Sequence, residues 1–69
     1  MEELSQTTVK LIRQLSQMHL TEDQTVGIVL LLEQKKEREE KMLQYLKANP
    51  KAELPEIGDY AMDLEEEIP

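Results

Sequence analysis

The hydrophobic pattern of this chain changes abruptly in its middle. Residues 26–32 are all uncharged and almost all apolar, whereas every residue of segment 33–41 except Gln34 is charged. A helix that is apolar on all sides needs neighbours around it, and one that is polar on all sides favours water. The apolar segment is therefore predicted to form core or interface contacts. The candidate contact residues are Val26, Val29, Leu30, Leu31 and Leu32.

The N-terminal pattern predicts a helical hairpin. Residues at steps of three and four over 2–18 indicate an amphipathic first helix with one buried face. Thr21 and Gln24 then have the spacing of a capping box, so a second helix should begin at Glu22. Because the connection between the two helices is short, they are expected to be neighbours in space. The first helix's stripe consists of Leu4, Thr8, Leu11, Leu15 and Met18, with Ile12 beside it.

The end of the second helix is harder to place, since segment 33–41 contains neither Gly nor Pro. Opposite charges one turn apart would each stabilise an exposed helix there by about 0.2–0.5 kcal/mol. We therefore expect a continuous or gently kinked helix over 22–47. The alternative is a break near residues 34–37 that folds the chain back. The predicted ion pairs are Lys35 with Glu39, Lys36 with Glu40, and Glu37 with Lys41.

The C-terminal part predicts one more short helix. Pro50 ends the preceding helix, because it restricts Asn49 and cannot donate a helical hydrogen bond. A last helix is expected over 55–65, with Pro55 in its first turn, packed against residues 42–46. Residues 65–69 are expected to form a frayed acidic tail after a single domain over 1–64. The predicted fold class is all-α with three to four helices.

Chain length bears on the expected assembly. A chain of 69 residues buries only about 60% of its unfolded surface, which makes it marginal as a monomer. Because segment 26–32 needs neighbours on several sides, we expect a homodimeric bundle with an isologous contact. The alternative is a monomeric bundle folded around that segment. The absence of Cys, of a leader-like start and of a 20-residue apolar stretch predicts a cytoplasmic protein that does not span a membrane.

The net charge of −7 comes from the C-terminal quarter of the chain. Residues 52–69 carry seven acidic and no basic residues, whereas 33–51 sum to +2 and 1–32 to −2. A phosphate backbone would be repelled by this end, which argues against direct nucleic-acid binding.

The sequence holds few groups for catalysis: one His, no Cys and two Ser. Catalysis needs a nucleophile, a base and a group that orients them. His19 lies near Glu22 and Asp23, but at the end of a helix it is expected to face the helix dipole rather than bind a metal. Asp59 and Asp63 are expected to lie on a solvated helix face. We therefore expect no enzyme activity, no metal or other cofactor, and no small-molecule substrate.

Two segments carry resemblances. Residues 42–57, in which Tyr45 to Lys47 and the Asn49-Pro50 turn lead into Leu54, resemble part of a helix-turn-helix or winged-helix domain. This resemblance implies a helix pair with a Pro-containing corner, but acidic residues stand where a recognition helix should follow. The run from Leu20 to Gln24 before an apolar helix resembles small all-helical proteins of Gram-positive bacteria and their phages, many without an assigned function.

Three classes of function are compatible with these features. The first is a non-catalytic interaction or regulatory protein that self-associates through 26–32 and binds an unknown protein through Leu43, Tyr45 and Leu46, if these are exposed. The second is an acidic decoy that occupies the basic channel of a nucleic-acid-binding protein. The third is a helix-turn-helix-like transcriptional regulator, which the negative charge favours least. The decoy's phosphate-like row would be Asp59, Asp63, Glu65, Glu66 and Glu67.

Overall fold

A computed structural model describes residues 5–67, and these form four α-helices without any strand. The predicted all-α fold class is confirmed. The predicted start of the first helix at residue 2, and residues 68 and 69 of the expected tail, lie outside the described residues. The helices are α1 (Gln6–Ser16), α2 (Glu22–Leu31), α3 (Lys36–Ala48) and α4 (Leu54–Glu67).

Side-chain caps fix the starts of the first two helices. The Ser5 hydroxyl accepts the backbone N–H of Thr8 at 3.1 Å. The capping box predicted at α2 is confirmed: the Thr21 hydroxyl accepts the Gln24 N–H at 3.1 Å, and the Gln24 side chain accepts the Thr21 N–H at 3.0 Å. Each cap satisfies backbone N–H groups that have no partner within the helix. Between the two helices, His19 takes a left-handed conformation with φ 63°.

The continuous helix expected over 22–47 is wrong, because the chain turns between α2 and α3. Glu33 and Gln34 adopt left-handed φ values of 56° and 53°, which cost residues with a Cβ roughly 1–2 kcal/mol each. The turn lets Leu32, Met42 and Leu46 become fully buried. Burying one such side chain gains about 1.5–3 kcal/mol, so packing outweighs the strain. The alternative, a break that folds the chain back, is the one observed, close to the expected position.

A single core lies between the four helices. Helices α1 and α4 each pack against both α2 and α3. The predicted packing of the last helix against residues 42–46 is observed, since α4 contacts α3 there. The buried apolar residues are Leu11, Leu15, Met18, Ile28, Val29, Leu32, Met42, Leu46, Ala52, Ile57, Ala61 and Leu64.

The expectation that segment 33–41 is solvated on all sides is wrong at Arg38 and Glu39, which are buried. Glu39 faces α1, where its Oε1 accepts the Thr8 hydroxyl at 2.7 Å. Arg38 faces the end of α4, where its Nη2 donates to the Glu65 carbonyl at 3.1 Å. These two hydrogen bonds hold the charged helix α3 against α1 and α4. The inner face of α3 therefore has polar as well as apolar contacts.

The predicted surface ion pairs form only in part. Lys36 Nζ lies 3.9 Å from Glu40 Oε1, as expected for residues one turn apart. Lys35 instead lies 3.3 Å from Glu33, which also lies 3.3 Å from Arg38 Nη1. The pair expected between Lys35 and Glu39 does not form, because the buried Glu39 carboxylate faces Thr8.

The last helix is slightly longer than predicted. Helix α4 runs from Leu54 to Glu67, so residues 65–67 of the expected tail form its last turn. The four described helices are all too short or too polar to cross a lipid bilayer.

Candidate functional site

The apolar segment 26–32 divides between the core and the surface. Ile28, Val29 and Leu32 lie in the core, as expected for residues at steps of three and four. Val26 and Leu30 keep 49% and 63% of their surface exposed, and Leu31 keeps 37%. The chain itself therefore covers only one side of the segment.

The exposed side chains of α2 form one wall of a groove, and α1 forms the other. The groove has a volume of about 600 Å³. Positions one turn apart line it on both helices, at 8, 12 and 16 on α1 and at 22, 26 and 30 on α2, so the two helices lie side by side along it. The apolar lining residues are Ile12, Leu20, Val26, Val29 and Leu30.

Polar groups occupy the floor and the ends of the groove. Thr8 and Thr25 are buried and line it, and the Thr8 hydroxyl is already used by Glu39. Glu22 lies at the end next to the α1–α2 connection, and the strained Gln34 lies at the opposite end. The groove thus offers an apolar centre with hydrogen-bonding groups at its edges.

The two outer edges of the groove carry opposite charges. Arg13 is exposed on α1 directly after the groove-lining Ile12, and Lys10 is exposed farther round the same helix, where both residues line a separate cleft with Val9. Glu22 and Asp23 are exposed in the first turn of α2. The edge formed by α1 is therefore basic, and the edge formed by α2 is acidic at its N-terminal end.

No family model, curated protein or solved structure matches this chain.

The possible partner surface predicted at the far end of the second helix is largely covered by the protein itself. Leu46 is fully buried, so the condition on which it was named as a contact residue is not met. Leu43 is half-buried, and so is Tyr45, whose ring stacks on that of Tyr60 with centroids 4.2 Å apart and an angle of 12° between the rings. The Tyr45 ring therefore joins α3 to α4 rather than forming a free surface.

The stacked pair also changes the chemistry of one phenol. The pKa of Tyr60 is raised above its ordinary value of 10.0, mainly by burial and also by the negative charges of Glu67 and ionised Tyr45. Each of these causes disfavours the phenolate. The hydroxyl of Tyr60 is therefore a poor acid in this fold.

The acidic residues predicted as a decoy surface all lie exposed on α4. Segment 52–69 contains no basic residue, although the Arg38 guanidinium of α3 donates to the Glu65 carbonyl at the end of α4. Met62, which is 55% exposed, is a large apolar side chain beside them. The exposed carboxylates belong to Asp59, Asp63, Glu65, Glu66 and Glu67.

The described residues do not bring a metal-binding group together. No three side chains of His, Cys, Asp or Glu within 5–67 could jointly hold a metal ion. His19 is exposed in the turn after α1 and lines a shallow cleft with Met18 and residues 50–54.

Residues 42–57, which resemble part of a helix-turn-helix, form the end of α3, a Pro-containing corner and the start of α4.

Sequence reasoning missed the groove because its two walls come from different helices. Ile12 lies beside the main apolar stripe of α1, and Val26 and Leu30 lie beside the buried stripe of α2. The sequence did contain a signal for the groove: each of the two paired helices has an apolar position outside its core stripe. The buried Thr8 and Glu39 pair left no comparable signal in the sequence.

Proposed function

We propose that this chain is a non-catalytic interaction protein that binds an apolar segment of a polypeptide in the groove between α1 and α2. The observation that carries the proposal is the contiguity of Val26 and Leu30 with Ile12 around one groove. A single exposed Leu is ordinary on a protein surface, whereas a contiguous apolar groove with polar edges is typical of an interaction site.

The shape of the groove suits a helical segment. Two helices lying side by side present apolar side chains at successive turns, and an amphipathic helix can place its own apolar residues between them. From position 22 to position 30 the groove extends about 12 Å along α2, which accommodates two helical turns of a partner. We place this function in the cytoplasm, because a chain without Cys suits a reducing compartment.

The outer surface of α4 favours an acidic decoy as the second candidate. Its exposed carboxylates, with no basic residue between them, would suit the basic channel of a nucleic-acid-binding protein. Binding through this surface would weaken steeply with salt, unlike binding in the apolar groove. The same acidic surface argues against the third class, a helix-turn-helix-like regulator.

A display library of random peptides, selected against the folded protein, tests the first candidate. We expect selected peptides with apolar residues at helical spacing that bind the wild type but not Leu30→Asp. Met62→Asp is the matched control, because Met62 is similarly exposed on a different helix. Lysine-rich peptides that bind Leu30→Asp normally and are released by salt would favour the decoy instead.

A further inference from the structure

We propose that the occupant of the groove is a second copy of this chain, with α1 of each copy packed against α2 of the other. The two copies are related by a twofold axis that runs parallel to α1 and α2. This inference rests on the proposed function, since it names the partner of the same groove.

The charges at the groove edges favour a second copy over a partner whose charges all have the same sign. The α1 edge is basic through Arg13, and the α2 edge is acidic through Glu22 and Asp23. A basic helix in the groove would be repelled by the first edge, and an acidic helix by the second. A copy of this chain carries both signs on one face, as an isologous contact requires.

The positions of these charges select the direction of the axis. Arg13 lies in the last turn of α1 and Asp23 in the first turn of α2, so the connection over residues 17–21 places them at the same end of the helix pair. A twofold axis parallel to the helices keeps these ends together and sets Arg13 of one copy against Asp23 of the other. An axis across the helices would set α1 against α1 and bring basic edges together.

The size of the shared face of α1 and α2 suits a small dimer interface. A specific interface should bury at least about 1,000 Å² in total, or at least about 500 Å² from each copy. That is about a tenth of the accessible surface of this chain, which is 5029 Å². Helices α1 and α2 have 11 and 10 residues and are therefore about 15 Å long, so the dimer uses most of their shared outer face. In this arrangement Leu30, which is 63% exposed, enters the groove of the other copy.

Sedimentation equilibrium across a wide range of protein concentrations tests the proposal. We expect a reversible dimer for the wild type, and a dissociation constant raised about tenfold or more for Leu30→Asp, since an apolar anchor is replaced by a charge. Because Leu30 is exposed, this variant should keep the wild-type circular dichroism and melting temperature at low concentration. Met62→Asp is the matched control and should dimerise like the wild type.

Charge reversal tests the direction of the axis. Arg13→Glu and Asp23→Lys should each raise the dissociation constant about threefold to tenfold, because each twofold dimer contains two such contacts. The double variant should return close to the wild-type value. Lys51→Glu and Asp63→Lys make the same changes in net charge at exposed positions away from the groove and should have smaller effects. A dimer tightened by Arg13→Glu would overturn the proposed axis.

The outcomes separate this proposal from the proposed function. A wild type that stays monomeric, or a dimer unaffected by Leu30→Asp, would overturn the second copy as the occupant. If the selected peptides still required Leu30, the groove would remain a polypeptide-binding site for a different partner. If neither the dimer nor peptide binding depended on Leu30, the proposed function would fail as well.

Discussion

Glu39 is a charged side chain without exposed surface, held by one hydrogen bond from Thr8. Ser5 lies 2.8 Å from the Thr8 hydroxyl, and since Thr8 donates to Glu39, Ser5 donates to Thr8. The second carboxylate oxygen accepts no hydrogen bond from residues 5–67. A buried charge with one bond is costly, so this small polar chain links α1 to α3 at an energetic penalty.

Replacing Glu39 with Gln should therefore stabilise the protein. The amide keeps an oxygen for the Thr8 hydroxyl and removes the buried charge, so we expect the free energy of unfolding to rise by about 1 kcal/mol in urea denaturation at neutral pH. Glu40→Gln, at the exposed neighbouring position, should change it by less than about 0.5 kcal/mol. A comparable loss of stability in Glu39→Gln would show that the carboxylate charge is compensated in solution.

Tyr60 should titrate above pH 10.0, because burial, Glu67 and Tyr45 all raise its pKa. The raised pKa contributes stability that is complete below pH 10.0 and is lost as the pH rises through the pKa of the folded state. In Tyr45→Phe the stacked ring is kept and Tyr60 is the only tyrosine, so phenolate absorbance reports it alone. Glu67→Gln should lower the midpoint, and a native midpoint equal to that in urea would contradict the assignment.

The turn between α2 and α3 is the element that most determines the fold. It requires two consecutive left-handed residues, Glu33 and Gln34, neither of which is glycine. Gln34→Gly should raise the free energy of unfolding by about 1 kcal/mol, because glycine adopts this conformation without a Cβ clash. Gln44→Gly, in the exposed middle of α3, should lower it by about 1 kcal/mol. Thermal and urea denaturation of the two variants measure both changes, and destabilisation by Gln34→Gly would mean that the chain does not turn there.

The same turn shows where sequence reasoning succeeded and where it failed. The start of α2 was predictable because its capping box is a local interaction between Thr21 and Gln24. The turn at Glu33 was not predictable, because no residue near it favours a turn. Its driving force is the packing of Met42 and Leu46 against the core.

The candidate site was predictable only as far as the apolar composition of 26–32. Which of these residues face outward depends on where α1 and α4 pack against α2. Leu32 and Leu30 look alike in the sequence, but the first is fully buried and the second is 63% exposed. The groove exists because the core uses one side of α2 and leaves the other uncovered.

At the scale of the whole molecule, repulsion between like charges destabilises the C-terminal helix α4. The net charge is −7, and 52–69 contains no basic residue. On α4, Asp63 is three or four residues from Asp59, Glu66 and Glu67, and like charges at these spacings cost about 0.2–0.5 kcal/mol each. Residues 65–67 also place negative charge at the C-terminal end of the helix, where the helix dipole disfavours it. Together these terms amount to about 1–2 kcal/mol.

Added salt should therefore raise the melting temperature. Raising NaCl from about 0.01 M to about 1 M shortens the Debye length from about 30 Å to about 3 Å and screens the exposed carboxylates on α4. For a domain of this size, about 1–2 kcal/mol corresponds to a shift of roughly 5–10 °C. Circular dichroism at low protein concentration, where association is negligible, measures the melting temperature.

Asp63→Lys converts the repulsive contacts to Asp59 and Glu67 into attractive ones, so the variant should melt higher in low salt and gain less from added salt. A melting temperature that fell with salt would show that attraction between charges dominates the native state, with the contacts of Arg38 and Glu33 outweighing the repulsion along α4.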